Sequence, residues 1–475
     1  MRRSLPSPSA APLVDSATFP PWTCSMDFRA QLDSPLFTHF ISHYSQPTGP
    51  DLLGRTEPFF EWQESRRQTG LWPYSRSLEA APKPECGVRS ETGAARQGLN
   101  FGSQDYLSLS THPAVVEAAQ RAIQEYGLHS AGSAMLGGNT APSLLLEKAL
   151  AEHLQTPHVA LFSTGWGAGF GVIAGLVRPD DHVVLDALSH ACLQQGAAAA
   201  TMNVSRVPHL NNRAMRRKLQ EIRARDTKNA VLVVTEGLFS MDSDVPRIEE
   251  LQAICREYGA ALLVDVAHDL GALGPRGTGS LGVQGLLGKV DLVVGAFSKT
   301  FGTNGGFVAT RSPAVRQFIR IMGGPHIFSN ALLPMQAAVV LESLRIVRSE
   351  EGDALRAKAR ENILALREAF QARGVKCLGE PSNVVPVQVG DAKVARLAAK
   401  KVFDRGIFAN LVEYPAVRVR ETRFRMQVMA AHTLEQVERA AAGVCDAIDE
   451  ARAELEVRPA TARVARRDER PHAEL

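Results

Sequence analysis

Five short apolar runs of this chain each end in residues able to do chemistry. Residues 158–163 lead into Ser163-Thr164-Gly165-Trp166-Gly167-Ala168-Gly169, and residues 182–186 into Asp186-Ala187-Leu188-Ser189-His190. Residues 230–235 lead into Glu236-Gly237-Leu238-Phe239-Ser240, residues 261–266 carry Asp265 and lead to Ala267-His268, and residues 291–296 lead into Phe297-Ser298-Lys299. The runs have strand length, and helical stretches lie between several of them. In residues 247–258, Ile248, Leu251, Ile254 and Cys255 fall at helical spacing and Gly259 ends the run. Strands alternating with helices predict a parallel sheet covered on both faces. Ligands of such a sheet sit beyond the carboxyl ends of its strands. The five run ends would therefore bring glycines, two histidines, an aspartate, a serine and a lysine to one rim.

Each group alone has an ordinary reading. Gly165, Gly167 and Gly169 make a tight turn, Asp265 caps a helix, His190 and His268 are satisfied structural histidines, and Lys299 is a surface charge. As a set they suit a phosphate-bearing aldehyde cofactor. A glycine-rich turn entering a helix offers backbone N–H groups to a phosphate. A buried carboxylate keeps a pyridine nitrogen protonated and strengthens the ring as an electron sink. A lysine beside other cations has a lowered pKa and can form a Schiff base. An imidazole can cover the ring face.

The elements that must position this set fill most of the chain. Residues 1–25 are rich in Pro, Ser and Ala without periodicity and are expected to be disordered; residues 26–98 hold aromatic pieces such as Phe59, Phe60, Trp62 and Trp72 and read as an arm, with a linker over 78–98. The predicted large domain covers 99–335, with a helix over 113–126 that Pro113 opens and Gly127 closes. Helical periodicity over 334–374 predicts the crossing to a smaller α/β domain at 336–455, and 456–475 reads as a solvated tail. The charge balance, 53 basic against 50 acidic residues for a net +3, gives no electrostatic reason to expect a nucleic-acid or membrane partner. No apolar run reaches the roughly 20 residues of a membrane span. Six scattered cysteines without a CxxC pair fit a reducing compartment, so a cytoplasmic protein is expected.

From about Asn100 to Glu450 the chain resembles the α-oxoamine synthases, which are fold-type I pyridoxal-phosphate enzymes. The likeness runs through Asn100-Phe101-Gly102-Ser103-Gln104-Asp105-Tyr106-Leu107, Asp186-Ala187-Leu188-Ser189-His190-Ala191 and Phe239-Ser240-Met241-Asp242. It continues through Asp265-Val266-Ala267-His268, Phe297-Ser298-Lys299, Gly305-Gly306-Phe307 and Ala430-Ala431-His432-Thr433. The resemblance implies an α/β fold: a large domain with a mostly parallel sheet flanked by helices, plus a smaller C-terminal α/β domain. It implies pyridoxal 5'-phosphate on Lys299, Asp265 at the pyridine nitrogen, His190 on the ring, and His268 and Ser240 near the ring hydroxyl. Gly165, Trp166 and Ser298 would meet the phosphate, as would Ser329 from a neighbouring subunit in a homodimer with shared sites. Arg425 and Ser103 are the candidates for the substrate, and no metal is called for. The implied reaction condenses a small amino acid with an acyl thioester, on coenzyme A or an acyl-carrier protein, and releases carbon dioxide.

Several positions depart from the family pattern. Ala134 stands where Arg is usual, Ser143 where His is common, and Ala296 where Thr precedes the lysine by three residues. In Asn410-Leu411-Val412-Glu413-Tyr414-Pro415-Ala416, Glu413 takes the place of an Arg that serves the amino-acid carboxylate, and a carboxylate there would repel the substrate. Arg418, Arg420 and Arg423 form an Arg-rich stretch that reads as a solvated face. These departures favour a specialised synthase over a housekeeping one. Two other readings stay open: an aminotransferase, aldolase or lyase on the same cofactor, and a non-catalytic family subunit.

Overall fold

The computed structural model describes residues 27–455, so the expectations for 1–25 and 456–475 lie outside the described residues. Seven strands form the larger sheet, in the order His158–Phe162, Gly306–Thr310, Leu292–Ala296, Ala261–Asp265, Val231–Glu236, His182–Asp186, Val204–Val207. All pairs are parallel except those of Gly306–Thr310, which runs antiparallel to both neighbours. The five strands predicted from apolar runs thus point one way and end on one rim, as a mostly parallel sheet requires.

The apolar runs are unbroken because both faces of the sheet are covered. Val183, Leu185, Leu232, Val234, Leu263 and Val294 enter the core on one face. Their neighbours Val184, Val233, Leu262, Val264 and Val293 enter the core on the other. Successive side chains of a strand point to opposite faces, so each strand feeds both cores. The helix predicted over 113–126 is Pro113–Tyr126, with proline in its first turn and Gly127 closing it at φ 72°.

The second unit is built on a six-stranded mixed sheet. Its order is Ser77–Leu78, Glu85–Arg89, Ala95–Phe101, Ile407–Val412, Thr422–Gln427, Val384–Gly390. Residues 78–98, read from the sequence as a linker, thus supply strands to this sheet; Ala95–Phe101 pairs in parallel with Ile407–Val412. The helix Pro334–Val347 packs Ala337, Val340, Leu344 and Val347 into the core of the larger unit. The helix thus packs on the larger sheet's core. The following helix, Glu350–Ala372, contributes Ala359 to one core and Ile363, Leu366 and Phe370 to the other.

Candidate active site

The rim carries a cavity of 260 Å³ lined by Thr164, Gly165, Trp166, His190, Asp265, His268, Ser298 and Lys299, together with Cys192, Glu236 and Asn304. Lys299 lies just past Leu292–Ala296 in a tight connection. Phe297 N–H donates to Gly305 O at 2.9 Å, and Gly302 N–H to Lys299 O at 3.2 Å. The connection turns the chain into the antiparallel strand Gly306–Thr310, so that strand fixes where the lysine starts. Burial pulls the Lys299 ammonium below its ordinary value; Asp265 and Glu236 oppose the pull and Arg425 adds to it. The lysine is thereby brought closer to the neutral form a nucleophilic amine needs.

Asp265 ends the strand Ala261–Asp265 and accepts the Ala267 N–H on Oδ1 at 2.9 Å. Its Oδ2 has no hydrogen-bond partner among the described residues, and the residue lines the cavity. Burial pushes this carboxyl up, while Lys299 pulls it down. A cationic pyridine nitrogen would do the same. His268 is buried and bonds through Nδ1 to the Tyr106 hydroxyl at 2.8 Å. Burial holds its imidazole well below the usual range, so the ring is neutral.

The helix Gly165–Leu176 opens on the cavity. Thr164 caps it by accepting the Gly167 N–H at 2.9 Å, and Ala168 N–H returns to Thr164 O. The N–H groups of Gly165 and Trp166 are the ones left over, as at any helix start, and they offer a phosphate site. Gly165 has to be glycine: a Cβ there would lie 2.3 Å from the Cβ of Ala296. The residues present therefore fit pyridoxal phosphate at both ends, with a helix N-terminus for the phosphate and a carboxylate oxygen for the ring nitrogen.

The remaining sequence candidates fall elsewhere. Arg425, on the strand Thr422–Gln427, does not line the cavity, but its charge acts on Lys299, His190 and His268. Its Nη1 meets only Met241 Sδ, at 4.0 Å, and its buried Nε has no partner among the described residues. A guanidinium so poorly satisfied is suited to an incoming carboxylate. Ser240 is buried outside the cavity lining, and Ser103 Oγ accepts from Asn100 Nδ2 at 3.0 Å. Ser329 is exposed, at the end of the short helix Gly324–Phe328 and away from this cavity.

Three readings change. Glu413 does not line the cavity: its Oε2 takes Arg396 Nη2 at 2.7 Å and Nε at 2.8 Å, and its Oε1 takes Tyr74 Oη at 3.1 Å and Arg66 Nη1 at 3.4 Å. Its carboxylate is fully paired, with Arg66 and Tyr74 of the arm and with Arg396, so Glu413 says nothing about the amino acid. Arg423 is no solvated residue either; it is buried and paired with Asp242, whereas Arg418 and Arg420 are exposed. Glu236 and Cys192 line the cavity without having been singled out. Glu236 could have been, since it ends its apolar run as Asp265 ends the neighbouring one and pairs with it across the sheet.

Among the described residues, one group has metal-like spacing: His209, Asp242 and Asp244. Both of its imidazole nitrogens are already taken, by Asp186 at 2.8 Å and Asp244 at 3.0 Å. Against the opposing effect of burial, those bonds push His209 up to about 10, so the cluster is an ion-pair clamp on the loop behind the site.

Known proteins resemble this chain over most of its length. The profile of the aminotransferase class I and II family matches residues 96–444. An 8-amino-7-oxononanoate synthase of Geobacter metallireducens is 34% identical over 347 residues, 73% of this chain and 88% of that protein. A serine palmitoyltransferase of Sphingobacterium spiritivorum is 31% identical over 381 residues, 80% of this chain and 95% of its own. The solved serine palmitoyltransferase of Sphingomonas wittichii superposes with a TM-score of 0.78 at 28% identity, covering 86% of this chain and all of that one. With the family profile over most of the chain and these relatives across it, the chain belongs to the class I and II aminotransferase family, as a pyridoxal-phosphate-dependent enzyme of its α-oxoamine synthase branch.

Proposed function

We propose that this enzyme condenses a small amino acid with an acyl thioester, releasing carbon dioxide and the free thiol and leaving an α-amino ketone. The observation that carries the reading is the cavity itself, which gathers Lys299, Asp265, His190 and His268 around a helix N-terminus. Bound pyridoxal phosphate supplies the electron sink for a carbanion at the amino acid's α-carbon. Lys299 holds the cofactor and then moves the α-proton. Asp265 keeps the ring nitrogen protonated. Gly165 and Trp166, with Ser298, hold the phosphate. His268, neutral and tied to Tyr106, and Ser240 would serve the ring hydroxyl. Arg425 and His190 bind the amino-acid carboxylate, with Ser103 near the substrate path.

We further propose a homodimer in which Ser329 reaches the partner's phosphate. The segments holding Gly132 and Ile327 are tied together by Ser133 Oγ to Ile327 O at 2.6 Å and Ala331 N–H to Gly132 O at 3.0 Å. Around them Leu136 is 81% and Phe328 85% exposed, a bare apolar patch of the kind a partner covers. The acyl donor is a coenzyme A or carrier-protein thioester, and the enzyme works in the cytoplasm, where the five described cysteines would stay free as they are here. No helix of the described residues is long and apolar enough to cross a membrane.

The test is stoichiometry. Purified enzyme is given glycine, alanine or serine with an acyl thioester, and thiol and carbon dioxide are counted. Equal release of both supports condensation. Turnover that needs a keto acid and releases neither would make the enzyme an aminotransferase instead.

A further inference from the structure

We propose that Cys192 is a positioning residue that locks His190 as the neutral tautomer protonated on Nε2, so that His190 serves as a hydrogen-bond donor and not as a base. The proposal rests on reading this cavity as the cofactor site, but the tautomer itself can be measured without turnover.

His190 is the residue that caps the helix Ala191–Ala200. Its Nδ1 accepts the backbone N–H of Cys192 at 3.3 Å. A backbone N–H can only donate, so Nδ1 carries no proton. The Cys192 sulfur lies 3.0 Å from the same nitrogen. That thiol is 2% exposed, and burial beside Asp265 and Glu236 pushes it up, so it stays protonated and its S–H is a donor. The backbone N–H and the S–H of Cys192 share the single lone pair of Nδ1, and the ring's proton is left on Nε2.

The thiol has little freedom to turn away. It packs against the helix Gly165–Leu176 at Gly169, where a Cβ would lie 2.6 Å from the sulfur. The third glycine of the Gly165-Trp166-Gly167-Ala168-Gly169 run thus makes room for the cysteine rather than for a phosphate. The His190 backbone is held as well, its N–H donating to Glu236 Oε1 at 2.5 Å. Only Nε2 lacks a partner among the described residues, on a ring that lines the cavity.

The charges that face the ring come from every side. Asp265 and Glu236 end adjacent strands, His268 follows Asp265, Lys299 follows a third strand, and Arg425 comes from the second unit. Burial lowers the His190 pKa, Lys299 and Arg425 lower it further, and Asp265 opposes them. The positive end of the helix it caps also disfavours an imidazolium. In the proposed reaction, an Nε2–H can bind the substrate carboxylate or a carbonyl oxygen gaining charge. It cannot accept the α-proton, which leaves that transfer to Lys299.

The test uses nitrogen-15-labelled histidine in the holoenzyme, with His190 assigned by difference from His190→Gln. In the wild type, His190 should show an unprotonated Nδ1 and a protonated Nε2 at neutral pH and above. Cys192→Ser keeps a donor and should match it. Cys192→Val removes the donor, and the imidazolium fraction at a given pH should rise about threefold to tenfold, the worth of one neutral hydrogen bond. The pH profile of kcat/KM should gain a limb in the same variant and not in the serine one. Should the valine variant fail to fold, Cys192→Ala asks the same question. A proton on Nδ1 in the wild type, or an apolar variant whose His190 titrates like that of Cys192→Ser, would overturn the proposal.

Discussion

Glu413→Gln should cost stability and leave amino-acid binding alone. The carboxylate is 1% exposed, and the Arg66 and Arg396 side chains beside it are 0% exposed. Arg396 takes Oε2 through both Nε and Nη2, and its Nη2 also donates to His39 O at 2.8 Å. Arg66 donates to Leu71 O at 2.9 Å and sits 5.0 Å from the Trp62 ring centroid, yet burial pulls it down to about 10. Taking one charge from such a buried set typically costs about 3–5 kcal/mol, because the partners are left ionised and dry. Most of the loss should come from Arg396, since the Arg66 contact is longer, at 3.4 Å. Glu413→Arg is worse. Each new like-charge pair at about 4 Å costs roughly 4 kcal/mol at an effective dielectric of 20, so two pairs approach the whole stability of a domain. Urea denaturation should show the glutamine variant about 3–5 kcal/mol less stable. Limited proteolysis should cut the arm helix Glu57–Gln68 faster, because the Arg66–Glu413 pair is one of its ties to the second unit. Amino-acid titrations of the folded fraction should match the wild type. A glutamine variant of wild-type stability with altered amino-acid affinity would refute this reasoning and return Glu413 to the substrate.

Three further outcomes are expected. Asp269 is fully buried, its Oδ1 has no partner among the described residues, and burial pushes its carboxyl up to about 6. A raised acid destabilises the fold once ionised. Its contribution is fully present below the ordinary value of about 4 and is lost as pH rises through about 6, at most about 3 kcal/mol. Asp269→Asn keeps an acceptor for the Ser280 N–H and should raise stability near pH 8 but not near pH 4, as urea melts at the two pH values would show. Arg425→Lys loses the planar fork that grips a carboxylate and should raise the amino-acid KM about tenfold or more with little change in thermal stability. Phe328→Glu should shift the protein toward monomer in analytical ultracentrifugation and lower activity with it, since Phe328 is 85% exposed in the single chain.

The large sheet was legible because its strands are short apolar runs buried on both faces, Val231–Glu236 being buried at every position. Their common direction then put the chemistry on one rim without further information. Glu85–Arg89 and Ala95–Phe101 were not legible. They carry charged residues at their exposed ends, and the second finds its partner, Ile407–Val412, some three hundred residues later. Glu413 was noticed for its type, but its direction was not available. Side chains alternate sides along a strand, so one position decides whether a carboxylate meets the substrate or the arm, and Arg66 lies 347 residues away in sequence. Nothing in the sequence sets Cys192 apart from the other scattered cysteines. Only the fold brings its sulfur onto His190 and against Gly169.

The most direct test of the central claim is to find where the cofactor is attached. The enzyme is loaded with pyridoxal phosphate, reduced with borohydride, digested and read by mass spectrometry, alongside Lys299→Ala. A phosphopyridoxyl mass on the peptide containing Ser298-Lys299-Thr300, absent from the variant, is the expected result. Attachment at another lysine, or none at all in the wild type, would contradict the reading of this cavity as a pyridoxal-phosphate site.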